Sequence, residues 1–216
     1  MNENLTRIVI LLDRSGSMTS VQEATVAGFN EFIRQQQQVE GETEVLLVQF
    51  DDQYEIVFDL PLVEVPLLDR DSFIPRGSTA LYDAQGRTIT MLGRQLASLA
   101  DDRRARKIIV VTLTDGQENA SRVYELKQVA EMVKNHHENL GWEFIFLGAN
   151  QDAVAVGASM NIPLRSSMTY TATAAAMASV MRSTSTQVAL FRQGAAPEFT
   201  QEDREQALTE KKAASA

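Results

Sequence analysis

Cysteine is missing from this chain of 216 residues, which excludes disulfides, thiolate metal sites and cysteine nucleophiles together. Histidine is nearly missing: His136 and His137 are the only two, side by side near the end of a predicted surface helix. Adjacent helical positions point to different sides, so the pair is expected to be solvated and not to share a metal. Positive charge is in deficit. With 20 Lys+Arg against 29 Asp+Glu, the net charge is −9 and the pI about 4.8, which argues against nucleic acid or an anionic membrane as the main partner. No apolar run approaches the roughly 18 residues of a membrane span. The opening Met1–Asn2–Glu3–Asn4 has neither a basic nor an apolar leader region. A cytoplasmic protein is the expectation. A phosphate cradle is absent too, because Arg14–Ser15–Gly16–Ser17 lacks the Gly/Lys spacing of a P-loop.

What is present is enough for one domain with a tail: 44% of the residues are hydrophobic, ample for a core. The richest stretch is Ile8–Val9–Ile10–Leu11–Leu12 followed by Asp13–Arg14–Ser15–Gly16–Ser17–Met18. Five aliphatic residues in a row mark a strand buried on both faces, as in a parallel sheet. Ile108 to Thr114, ending at Asp115–Gly116, is the second such run.

Between and after these runs the chain alternates strand and helix. The first strand is Arg7 to Asp13. Ser20 and Glu23 have capping-box spacing for the helix that follows, with Val21, Ala24, Phe29 and Phe32 on its apolar face. Glu44–Phe50 and Tyr54–Leu60 flank Asp51–Asp52–Gln53 as a hairpin. Arg76–Gly77–Ser78–Thr79 leads into a helix from Ala80 to about Leu99, and Asp101 to Arg106 is a solvated loop. Val123, Leu126, Val129/Ala130 and Val133 line the next helix. Trp142–Leu147 is a further strand ending in Gly148–Ala149–Asn150. A short Ala/Val helix, an edge strand near Ile162 and a terminal helix over Thr169–Arg192 follow, the last with Tyr170, Ala174, Met177, Met181, Val188 and Phe191 at helical spacing. The predicted division is a domain over 1–194 and a polar tail over 195–216, of which Gln201 to Ala216 is expected to be a weak helix or disordered. The fold class is α/β: a doubly wound, mostly parallel six-stranded sheet with one antiparallel edge strand.

Three strand or helix ends in this scheme carry oxygen ligands: Asp13 with Ser15 and Ser17, the loop holding Thr79, and Asp115. In a doubly wound sheet the carboxyl ends of central strands open on one crevice. Two carboxylates and three hydroxyls aimed at one point suit a hard cation that keeps some water, Mg²⁺ or Mn²⁺. Each residue taken alone has an ordinary explanation, an aspartate before a turn or a threonine at a helix start. Their joint order carries the argument. Asn150 and Asp152, beyond another strand end, serve as helix caps or as accessories to the site.

Asp13–Arg14–Ser15–Gly16–Ser17, then Gly77–Ser78–Thr79–Ala80–Leu81, then Leu113–Thr114–Asp115–Gly116 resembles the von Willebrand factor type A (VWA) domain with its metal-ion-dependent adhesion site, over about residues 5–165. The resemblance implies a Rossmann-like sheet. It also implies a metal held by Asp13, Ser15, Ser17 and Thr79, with Asp115 often acting through water. Phe144–Ile145–Phe146–Leu147–Gly148–Ala149–Asn150–Gln151–Asp152 further resembles small stand-alone bacterial and phage members, which names no activity. The implied function is a metal-dependent protein-interaction module, not an enzyme, whose cation accepts an Asp or Glu carboxylate from a partner protein. No nucleic acid and no membrane is expected. Resemblance to integrin inserted domains adds that the terminal helix could shift when a ligand engages.

The rival is a metal-dependent phosphatase or hydrolase using Asp13 as nucleophile, as in haloacid-dehalogenase-like enzymes. Those need a second acid two positions on, where this chain has Ser15. A Ser15 nucleophile would need a neighbouring base, and no acid/base partner is evident beside it. A purely structural subunit with a vestigial site is disfavoured because every ligand position is filled.

Overall fold

The computed structural model describes residues 1–149 and 151–208. Its sheet has six strands: β1 (Asn2–Asp13), β2 (Glu42–Phe50), β3 (Tyr54–Pro61), β4 (Ala105–Thr114), β5 (Glu143–Ala149) and β6 (Ser167–Tyr170). Their order is β3-β2-β1-β4-β5-β6. Every neighbouring pair is parallel except β2–β3. This is the predicted Rossmann-like fold, with the aliphatic strands β1 and β4 paired at the centre.

The aliphatic run of β1 has a consequence for both faces, since successive strand residues point to opposite sides. Ile8, Ile10 and Leu12 face one layer, made by α1 (Gln22–Gln37) and α5 (Ala174–Arg192), with Phe29, Phe32, Met177, Val180 and Val188. Val9 and Leu11 face the other, made by α2 (Leu81–Ser98) and α3 (Leu126–Leu140), with Leu81, Ile89, Val129, Val133 and Trp142. Each such fully buried side chain contributes ~1.5–3 kcal/mol, so a strand with two apolar faces secures both halves of the core. The chain goes from β1 to β2 on one side and later returns to β4 on the other. The switch point of the topology is therefore the crevice between the carboxyl ends of β1 and β4, where open α/β sheets place their ligands.

Several local expectations are corrected. The chain leaves β1 through a 3-10 turn, Gly16–Val21, and α1 begins at Gln22 with no side-chain cap; Ser20 instead donates to the Ser17 carbonyl, so the Ser20/Glu23 box does not form. Val123 lies before α3 and is exposed. The edge strand is not at Ile162, which is buried beyond α4 (Ala153–Ser159), but at Ser167–Tyr170. Tyr170 therefore belongs to β6 and not to the stripe of α5, which starts at Ala174. The polar loop at Asp101–Arg106 is shorter, because β4 already begins at Ala105.

The histidines are not merely solvated. The His136 ring lies 4.5 Å from Trp142, and His137 Nδ1 is 2.9 Å from the Trp142 carbonyl, so the pair fastens the end of α3 to the start of β5. Beyond Gly194, where a polar tail is predicted, α6 (Gln201–Ala207) carries a capping box between Thr200 and Asp203. It is held to the domain by buried Phe199 and Ala207 and by the Thr171 N–H to the Ala207 carbonyl, 3.0 Å. Residues 209–216 of that tail and Asn150, a possible accessory to the site, lie outside the described residues.

Candidate metal centre

All five oxygen-bearing residues singled out in the sequence come together above the switch point. Asp13 ends β1, and one of its oxygens accepts the Ser15 N–H at 2.6 Å. The other accepts from Thr114 Oγ1, at the end of β4, also at 2.6 Å. Ser15 Oγ and Ser17 Oγ lie 3.1 Å apart, and Ser17 Oγ donates to Asp115 Oδ1 at 2.5 Å. Thr79 joins from the loop before α2. A Cβ placed on Gly116 would meet Thr79 Oγ1 at 3.1 Å, Ser17 Oγ at 3.4 Å and Ser15 Oγ at 3.9 Å. Three hydroxyls from two distant loops thus converge beside Gly116, where a side chain would crowd Thr79 Oγ1.

Depth sets the electrostatics. Asp13 is 0% exposed, and its burial pushes its pKa up to about 6, against the lowering effect of the Thr114 and Ser15 hydrogen bonds, with nearby Asp115 adding to the rise. Burial also raises Asp115, partly offset by Ser17. Beneath them the Tyr170 hydroxyl donates to the Thr114 carbonyl at 3.1 Å; burial and then the two aspartates hold it well above the usual phenol range. Two desolvated carboxylates among hydroxyls are an unfavourable pair unless protonated or given a cation. The donor set fits a hard divalent ion. Among the described residues no group of three or more His, Cys, Asp or Glu could hold a metal, so any ion here relies on the hydroxyls.

The loops carrying these groups are tied together by residues that sequence reasoning missed. The Thr79 N–H donates to Asn119 Oδ1 at 2.9 Å, and the N–H groups of Asn119 and Ala120 return to the Thr79 carbonyl at 3.0 and 3.1 Å. Asp83, on α2, accepts from the backbone N–H groups of Arg122, Val123 and Tyr124 at 3.2, 2.9 and 2.8 Å. Burial raises its pKa, but those three donors outweigh it and leave Asp83 below its ordinary value. Gln151 Nε2 donates to the Gly116 carbonyl at 2.9 Å. Asp152 accepts from the Ala155 N–H and caps α4, the plainer of its two predicted roles. Asp51, predicted as a turn former, does sit in the β2–β3 turn. It is also fully buried and paired with Arg14 and Arg76. The available signal was Arg14 itself: an arginine directly behind a fully buried strand needs a carboxylate.

A cleft of about 680 Å³ opens at the opposite end of the sheet, lined among others by Leu96, Arg104, Lys107, Leu140, Trp142 and Phe191. It contains none of the five residues. The five oxygen-bearing residues and this cleft are thus at different ends of the sheet.

A doubly wound sheet in the order found here, with acids and hydroxyls over its switch point, defines a Rossmann-like α/β domain. The family model of the von Willebrand factor type A domain matches residues 8–159, and the chain belongs to that family. Domains of this family are generally metal-dependent protein-interaction modules. No curated protein matches the sequence. Among solved structures, a von Willebrand factor type A protein from Catenulispora acidiphila is 14% identical, with a TM-score of 0.56, over 86% of this chain and 42% of its own. Proximal thread matrix protein 1 from the mussel byssus, with zinc in its metal-ion-dependent adhesion motif, is 14% identical, with a TM-score of 0.56, over 84% and 47%. The PilB minor pilin of Streptococcus sanguinis is 13% identical, with a TM-score of 0.59, over 88% and 62%. This chain therefore spans between 42% and 62% of the length of these proteins, and the likeness is one of fold. No helix among the described residues is long and apolar enough to cross a membrane.

Proposed function

We propose that this domain binds Mg²⁺ or Mn²⁺ through Asp13, Ser15, Ser17 and Thr79, with Asp115 completing the set through water, and that it uses the ion to take an Asp or Glu carboxylate from a partner protein. The observation that supports this reading most is the meeting of three hydroxyls around the Gly116 position, beside two carboxylates raised by burial. The ion would supply a positive centre that neutral hydroxyls leave electrophilic, open to one more oxygen ligand. The chain's own part is to hold the donors, through Thr114 on Asp13 and Asn119 on Thr79.

An enzymatic role finds less support. The two histidines are committed to Met132 and Trp142 at the far end of α3, away from Asp13. We expect no turnover of aryl phosphates or nucleotides with either metal. Affinity capture with wild type against Asp13→Ala, with and without chelator, tests the interaction reading. A protein retained only with metal and only by wild type supports it. Identical capture in all four conditions contradicts it.

A further inference from the structure

The β2–β3 turn has no part in the metal reading, yet it holds the fully buried carboxylate of Asp51. Oδ2 accepts from Arg14 Nε at 3.2 Å and from Arg76 Nε at 2.8 Å. Oδ1 accepts from the Gln53 N–H at 2.6 Å. The Asp51 carbonyl accepts the Ala80 N–H at 2.9 Å.

These partners have telling places in the chain. Arg14 stands between Asp13 and Ser15, while Arg76 and Ala80 bracket Thr79. One residue therefore grips both loops that bring hydroxyls to the site, from behind and without touching any of the five oxygens. The two loops also meet directly: the Arg76 N–H donates to the Arg14 carbonyl at 2.7 Å, and the Gly16 N–H to the Gly77 carbonyl at 3.2 Å. Gly77 turns there with φ +67°, a left-handed conformation that a side chain would strain. Arg14 is itself buried and reaches Glu55 at 2.8 Å, so its charge stays compensated when Asp51 is neutralised.

We infer that Asp51 is a positioning residue for the metal centre: by holding Arg14 and Arg76 on one carboxylate, it sets the separation between Ser15/Ser17 and Thr79. The inference rests on the metal reading above and deepens it. Groups that orient metal ligands from behind are worth about 10–100-fold in affinity. Mg²⁺ needs its ligands at ~2.0–2.1 Å in near-octahedral array, whereas Ca²⁺ accepts ~2.3–2.6 Å and variable geometry, and Mn²⁺ lies between the two in size. Loosening the two loops should therefore cost the smaller ion more than the larger one.

The experiment is calorimetric titration of the metal-free protein with Mn²⁺ and with Ca²⁺, on wild type, Asp51→Asn, Arg76→Gln and Asp13→Ala, each with a thermal melt. Asp51→Asn is expected to weaken Mn²⁺ binding about 10–100-fold and Ca²⁺ binding less, so the Mn²⁺/Ca²⁺ preference falls. Arg76 is about half exposed, so Arg76→Gln should keep the fold and shift the preference the same way by a smaller factor. A lower melting temperature with an unchanged Mn²⁺/Ca²⁺ preference in both variants would make Asp51 a purely structural residue and overturn the inference. If Asp51→Asn does not fold, Arg76→Gln decides alone, and wild-type preference there overturns it. Asp13→Ala separates the two readings. Wild-type binding by Asp13→Ala removes the metal site and this inference together, whereas binding lost only in Asp13→Ala leaves the site standing and removes the role of Asp51.

Discussion

The loops at the carboxyl end of the sheet and the α1–α5 layer on its flank are fastened in opposite ways. The loops carry little apolar surface and are held by charge and backbone hydrogen bonds, from Asp51, Asp83 and Asn119. The layer packs through apolar side chains such as Phe29, Phe32, Val180 and Val188, with a close approach at Gly28 of α1, where a Cβ would meet Met181 Cγ at 2.7 Å. From composition alone the Met- and Ala-rich α5 looks able to slide. The structure adds polar pins. Gln36 Nε2 reaches the Ser185 carbonyl at 2.8 Å. Arg192, at the end of α5, donates to the carbonyls of Gln36, Val39 and Gly41 at 2.6, 2.8 and 3.2 Å, closing the end of α1. Mobility is decided by such anchors as much as by the side chains of the packing stripe.

The sharpest way to break this contrast is to remove the anchor of the layer. Arg192→Ala leaves the carbonyls ending α1 without their donor and should cost ~3 kcal/mol of stability. Metal affinity of the folded variant should be unchanged, read by denaturant titration and calorimetry. An equal loss of metal affinity would show that the layer and the site are coupled.

The buried acid at the site gives the next effect, with a definite sign. Asp13 has a folded pKa of about 6 against an ordinary 3.8, so the folded protein holds this proton more tightly than the unfolded chain. The penalty is absent below about pH 4, grows as pH rises, and is complete above about pH 6. It is on the order of 3 kcal/mol for a shift of this size. Metal-free protein in chelator should therefore melt higher at pH 5 than at pH 7, and Asp13→Asn should remove this part of the difference. With Mn²⁺ present the order should reverse, since the ion needs the carboxylate ionised.

A smaller effect is expected at Asp83, whose carboxylate collects three backbone N–H groups of the loop after Gly116. Asp83→Ala should cost ~2 kcal/mol and weaken Mn²⁺ binding, whereas Arg192→Ala costs stability alone. Because its pKa is lowered, the contribution of Asp83 is present above about pH 4 and is lost as pH falls through its folded value. Smallest of all is the change expected in α5 itself. With Arg192 in place, hydrogen exchange across Ala174–Arg192 should change little on adding metal and an acidic peptide. Marked deprotection would revive the sliding helix.

The centre of the fold was legible because β1 and β4 declare themselves: an unbroken aliphatic run has few alternatives to a strand covered on both faces. The meeting of Asp13, Ser15, Ser17, Thr79 and Asp115 was legible for the same reason, as each follows such a run or opens a helix. β6 was misplaced because Ser–Met–Thr–Tyr is short and half polar and owes its state to pairing with β5. Tyr170 was drawn into the helix because its burial comes from the site beneath Thr114, which periodicity cannot register. Asp51, Asn119 and Asp83 were missed since their partners lie between 25 and 41 residues away, beyond any local pattern. Phe199 and Ala207 were lost in a stretch whose average polarity hides two buried contacts.

The central claim is that five oxygen-bearing residues make one cation site. The most direct test is calorimetric titration of metal-free protein with Mn²⁺, wild type beside the Asp13→Ala/Thr79→Ala double variant, both checked for a cooperative melt. One site in the wild type, and none in a folded double variant, is the expected result. Equal Mn²⁺ binding by the two proteins would contradict it.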